Sequence, residues 1–202
     1  MNHAVMKKIK LFIAISVLLI SSNSFGQFFY SDLTYNMSVP VGNTADFISK
    51  TSFRGLTFSV GRFITDELAV DVRFTWTTFY EEVDPQTYTT DNGNGAVTGK
   101  QFRYINAYPL TTGLKYVLNT SSEFSPYFGA GLGAYSINER TDMGIYYDEI
   151  NIWHFGFYPE IGFNYNFSYD FGVNLYARYE YALAAKEAGA FSTLVFGVGF
   201  HF

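Results

Sequence analysis

The chain has 202 residues, a formal net charge of −5 at neutral pH, 20% aromatic residues and only 15% charged residues. Soluble domains usually carry about 25% charged residues, so the composition argues against an ordinary water-exposed globule, and the acidic balance argues against a nucleic-acid partner, which needs a basic patch to neutralise phosphates. The lack of cysteine excludes disulfides, thiolate metal sites and lipid attachment through an N-terminal cysteine.

Lys7, Lys8 and Lys10 precede an apolar run from Leu11 to Ile20 and then the small, polar stretch Ser21 to Ser24. This is the pattern of a secretory signal peptide. Cleavage after Gly26 puts Ser24 and Gly26 at the small-residue positions and starts the mature chain at Gln27. A membrane-spanning helix needs about 20 residues, so the run is too short for one. Residues 27 to 202 are then expected to form one domain, with a formal charge of −8 after the three lysines are lost.

Alternation of apolar and polar residues predicts eight strands, near 28–39, 53–63, 68–79, 102–118, 126–138, 152–166, 171–181 and 192–202. The third sets Leu68, Val70, Val72, Phe74 and Trp76 against Ala69, Asp71, Arg73, Thr75 and Thr77. In the seventh, Val173, Leu175, Ala177, Tyr179 and Tyr181 oppose Asn174, Tyr176, Arg178 and Glu180. The last sets Leu194, Phe196, Val198, Phe200 and Phe202 against Thr193, Val195, Gly197, Gly199 and His201.

Connectors alternate in length: short at 64–67, 119–125 and 167–170, long at 40–52, 80–101, 139–151 and 182–191. Short periplasmic turns and longer external loops mark an outer-membrane barrel, and an even strand count puts both ends of the barrel on the periplasmic side. A short helical turn is expected within 182–190. Pro109 and Pro159 cannot donate to a ladder, so bulges or lost hydrogen bonds are expected there, and a bulge at Pro109 would swap the faces of residues 103 to 107.

Parity leaves open a soluble, lipocalin-like barrel with an apolar interior. The composition of the polar face decides against it. Gly129, Gly131, Gly133, Gly162, Gly197 and Gly199 lie there and make poor solvent-facing strand residues. Inside a narrow barrel they leave room for Tyr127, Tyr135, Tyr158, Tyr176 and the arginines. The apolar face is then expected to meet lipid, with Trp76, Tyr80, Trp153 and Tyr181 as an outer aromatic girdle and Tyr116, Tyr165 and Phe202 as an inner one.

Four segments carry a family resemblance: GRFITDELAV at 61–70, PYFGAGLG at 126–133, PEIGFNY at 159–165 and GVGFHF at 197–202. In this order they resemble the small outer membrane protein β-barrel domain family, related in architecture to the OmpX, OmpW and OmpA barrels. The resemblance implies an all-β, eight-stranded antiparallel up-and-down transmembrane barrel in the bacterial outer membrane. It implies outer-membrane lipid and lipopolysaccharide as surroundings. It further implies that Phe196, Val198, Phe200 and Phe202 are read by the barrel-assembly machinery during biogenesis. No peptidoglycan-binding domain is expected.

Asp71, Arg73, Lys115, Glu160, Arg178 and Glu180 all fall on the inward face. Ionisable groups at membrane depth are costly unless paired and often mark a pathway, but mutual compensation in a filled interior is the preferred reading, because eight strands leave a lumen about wide enough for side chains alone. Catalysis on lipid would need a serine with a histidine and a carboxylate. The mature chain has only His154 and His201, and Phe155 and Gly156 follow His154 with no serine at the position expected in a lipid A deacylase. No enzyme activity, cofactor or metal site is therefore expected. Asp142, Asp148 and Glu149 read as solvated loop charge in preference to a shared cation site, and Tyr146 and Tyr147 as a contact patch for an unknown surface partner. The leading expectation is a structural or surface-interaction role through four external loops. The alternatives are a narrow channel for small or hydrophobic solutes and, more remotely, a lipid-modifying enzyme.

Overall fold

A computed structural model describes residues 29–89, 96–144, 146–168, 171–185 and 188–202. The expected leader and its cleavage point at Gly26 and Gln27 lie outside the described residues. The elements are β1 (Phe29–Pro40), α1 (Gly42–Phe47), β2 (Ser52–Phe63), β3 (Leu68–Thr89), β4 (Ala96–Val117), β5 (Phe124–Met143), β6 (Tyr146–Ser168), β7 (Phe171–Ala182) and β8 (Phe191–His201). Each strand pairs antiparallel with the next, and β1 pairs with β8 (Tyr35 opposite Val198), which closes the sheet into a barrel without a free edge around its waist.

The faces follow the predicted parity. Leu33, Phe58, Val72, Leu114, Leu132 and Phe196 point out and are exposed, while Thr34, Thr57, Asp71, Lys115, Tyr176 and Arg178 are buried. Two short turns are fastened by their own side chains. Thr65 accepts at Oγ1 from the Leu68 amide (3.0 Å), and Ser125 donates from Oγ to the carbonyls of Asn119 and Ser122 (3.1 and 3.0 Å). Asn119 takes the left-handed conformation (φ 58°) that asparagine tolerates better than most residues.

Two groups of inward glycines have different reasons to be small. A Cβ on Gly131 would come within 2.6 Å of the Tyr158 ring, and one on Gly162 within 2.6 Å of the Tyr127 ring, so these glycines accommodate tyrosines as expected. On Gly133 a Cβ would fall 2.6 Å from the Thr111 Cα. There the constraint is the close approach of β4 and β5.

Two expectations need correction, and of the two outcomes expected at the prolines one is found. Residues 80–101 and 139–151 are mostly strand, not loop, because β3–β4 and β5–β6 continue pairing to Thr89 opposite Ala96 and Met143 opposite Tyr146. Toward the ends of these long hairpins both faces of a strand are exposed, so the alternation that reveals the other half fades. The helix sits in the first long connection, as α1, while Ala185 and Ala188 form an isolated bridge where a helical turn was expected. Neither Pro109 nor Pro159 causes a bulge. The β3–β4 ladder keeps its register from Phe74–Leu110 to Thr77–Ala107, and β6–β7 keeps its own from Phe157–Tyr181 to Glu160–Arg178, with pairs missing between. The prolines cost hydrogen bonds only, and parity holds through Ile105 and Ala107. A register shift does occur between Val83 and Gln86, the stretch that contains Pro85.

Candidate functional site: the barrel interior and its outer end

The six predicted inward charges are all buried, and the structure links five of them, Asp71, Arg73, Glu160, Arg178 and Glu180, through shared ion pairs. Arg73 grips Glu160 with both terminal nitrogens, at 2.6 and 3.2 Å, and reaches Asp71 at 3.3 Å. Arg178 lies 3.8 Å from Glu160 and, through Nε, 3.2 Å from Glu180, near enough for an ion pair though not aligned as a hydrogen bond. Its guanidinium donates from Nη2 to the Tyr176 hydroxyl (3.1 Å), which donates to Asn36 (2.6 Å). Rings of Tyr158 and Tyr176 lie 5.2 and 4.9 Å from the Arg178 guanidinium, within cation–π range.

Lys115 does not join this cluster directly. It pairs with Asp32 (3.1 Å) between the rings of Tyr30 and Tyr127, and Asp32 also holds His201 (2.5 Å). Asp32 was missed among the candidate charges, although the alternation of the first strand already places it inward. With it, the interior holds four buried acids against three buried bases, among the described residues. Compensation is nearly complete, which is what a low-dielectric interior demands.

Toward the end away from the short turns the lining becomes apolar. Phe79, Ile105, Tyr135, Ile137 and Phe191 form a buried cluster, and Ile48, which follows α1, is inserted into it with no exposed surface. The segment carrying Ile48 is pinned on three sides. The Ser192 amide donates to Thr44 Oγ1 (2.8 Å), Arg103 Nη1 donates to the Phe47 carbonyl (2.9 Å), and Ser49 donates from its amide and hydroxyl to Glu81 (2.6 and 2.7 Å). Sequence reasoning missed this cap because nothing in 40–52 reveals that one isoleucine will turn inward.

His154 points into the barrel, and its Nδ1 lies 2.8 Å from the Leu183 carbonyl. Asp142 pairs with Arg140 (2.8 Å), and Glu149 accepts from Asn138 (2.7 Å). No group of three potential metal-ligating side chains occurs among the described residues. Phe196, Val198 and Phe200 form an exposed outward stripe on β8, and the Phe202 backbone exchanges two hydrogen bonds with Ser31 (2.8 and 2.9 Å).

The sequence model of the outer membrane protein beta-barrel domain matches residues 12–202. The chain belongs to the outer membrane protein beta-barrel domain family. Members reside in the bacterial outer membrane, so the short-turn end faces the periplasm and the long strands of β3 to β6 face outward. No curated protein sequence matches the chain significantly. Among solved structures, Neisserial surface protein A covers 88% of this chain and 98% of its own at 17% identity, with a TM-score of 0.58. The barrel domain of OprF from Pseudomonas aeruginosa (16% identity, 86% and 97% covered, TM-score 0.49) and the attachment invasion locus protein Ail from Yersinia pestis (14%, 87% and 97%, 0.48) are more distant in shape. At these identities the likeness is one of fold.

Proposed function

We propose that this member of the barrel family is a closed membrane anchor whose work is done outside, by a four-stranded sheet that presents itself to a surface partner. One observation carries the reading. The strands β1, β2, β7 and β8 are 11 to 12 residues long, about what a bilayer crossing needs, whereas β3 to β6 are 20 to 23. The surplus of roughly ten residues per strand stands about 25 Å beyond the rest of the barrel, allowing for strand tilt.

This extension has two free edges. Among the described residues, β2 accompanies β3 only as far as Thr77, and β7 accompanies β6 only as far as Gly156. The β6 side exposes Tyr146, Tyr147 and Trp153. Unpaired backbone edges accept an extended segment of another chain, and exposed aromatic residues supply contact area. The reading involves no catalysis.

The test shortens both ribbons, replacing residues 84–100 and 141–149 with tight turns, and compares adhesion of producing cells to host surfaces. Loss of adhesion with heat-modifiable folding retained supports the reading; unchanged adhesion contradicts it. A second reading, a narrow route for small or hydrophobic solutes, is favoured by the apolar lining under Ile48, which would become accessible if the segment 41–51 withdrew.

A further inference from the structure

A surface pocket of about 210 Å3 sits where β3 leaves β2, lined by Thr51, Ser52, Phe53, Arg54, Thr78 and Tyr80. It is made by a β-bulge. Asn36 pairs with Gly55 and Ser38 with Ser52, so Phe53 and Arg54 together oppose Met37 alone, and both turn outward. The bulge is held from both sides. Buried Ser52 accepts at Oγ from the Arg54 amide (3.1 Å) and donates to the Thr78 carbonyl (2.6 Å), while the Tyr35 hydroxyl donates to the Phe53 carbonyl.

Depth and charge give this pocket its meaning. Leu56 pairs with Trp76 and Gly55 with Thr77, so Arg54 lies between the levels of Trp76 and Tyr80, within the outer aromatic girdle and next to the headgroups. Tyr80, on the other wall, is braced by Tyr104 and Phe102, with centroids at 5.1 and 6.5 Å. Among the described residues the other cations of the outer part are satisfied locally: Lys100 with Glu82, Arg140 with Asp142, and Arg103 with Gln101 and the Phe47 carbonyl. Neither Arg54 nor Lys50, four residues earlier, has a carboxylate partner among the described residues. The nearby Glu81 is occupied by Ser49.

We propose that Arg54 and its pocket hold the phosphate of an outer-leaflet lipid. An exposed guanidinium at this depth presents a planar fork that matches two phosphate oxygens. The rigid bulge fixes its backbone, and Phe53 and Tyr80 flank the guanidinium with apolar and aromatic walls. Lys50 adds a second positive charge on the water side. The site needs neither the free strand edges nor a closed lumen, so it stands apart from the function proposed above.

The test uses the full chain refolded into phosphatidylcholine nanodiscs doped with either phosphatidic acid or diacylglycerol, which differ by the phosphate alone. Native mass spectrometry counts retained lipid, and the Arg54 Nε–H resonance reports the contact. Phosphatidic acid is expected to be retained and to shift the resonance saturably, and R54A to lower retention about tenfold, the size of a lost charge-assisted hydrogen bond. R54K, which keeps the charge without the fork, should fall between, and R140A should match the wild type. Heat-modifiable migration verifies folding of each variant. Equal retention of diacylglycerol, wild-type retention by R54A, or an equal resonance shift from inorganic phosphate alone would overturn the proposal.

Discussion

Glu160 is the residue on which the interior turns, because two guanidinium groups from opposite walls share its carboxylate. Glu160→Ala leaves Arg73 and Arg178 buried without it, and removing one partner of a buried pair costs about 3–5 kcal/mol. Urea unfolding of the refolded barrel in lipid vesicles should show a loss of that order. Tyr135→Phe, in the same interior, should change the same measurement by less than about 1 kcal/mol, since the Tyr135 hydroxyl is buried with no hydrogen-bond partner among the described residues. Finding the reverse order would mean that the ion layer does not hold the barrel. At this scale the sequence was informative: parity alone located all six charges on the inward face. Which acid pairs with which base was not legible, because pairing across the lumen depends on register around the ring. Lys115 is opposite Gly129 in β5 yet ion-pairs with Asp32 of β1.

The eight strands are legible wherever lipid lies on one side and packed side chains on the other, since that contrast produces the alternation. Beyond the girdle it disappears, and the upper ribbons read as loops although pairs such as Thr87 and Thr98 (2.8 Å between hydroxyls) continue the ladder. Glu139 belongs to this upper part, three pairs above Trp153 and outside the membrane-spanning segment. Burial pushes its carboxyl up, and the nearby His154 only partly offsets this. A carboxyl raised in the folded state favours folding most when protonated, and that contribution is lost as pH rises through the folded pKa. Glu139→Gln should therefore slow hydrogen exchange of the β5–β6 amides around Ile137 and Ile150 at pH 7. The advantage should vanish at pH 4, where the wild-type residue is also neutral. Equal exchange at pH 7 would show that the Glu139 charge carries no penalty there.

For the whole molecule, the central claim is that the barrel is shut. Two independent layers close it: compensated ion pairs and tyrosines below, and an apolar cluster capped by Ile48 above. An eight-stranded barrel has an interior about wide enough for side chains alone, and these layers use it. The proposed function then rests on the outer surface, where four strands extend beyond the other four and a bulge exposes Arg54. Planar-bilayer recording of the refolded wild-type protein tests the claim most directly. The predicted result is no conductance above that of the bare bilayer at neutral pH. Reproducible conductance steps in the wild type, altered by Glu160→Ala or Arg178→Ala, would contradict it.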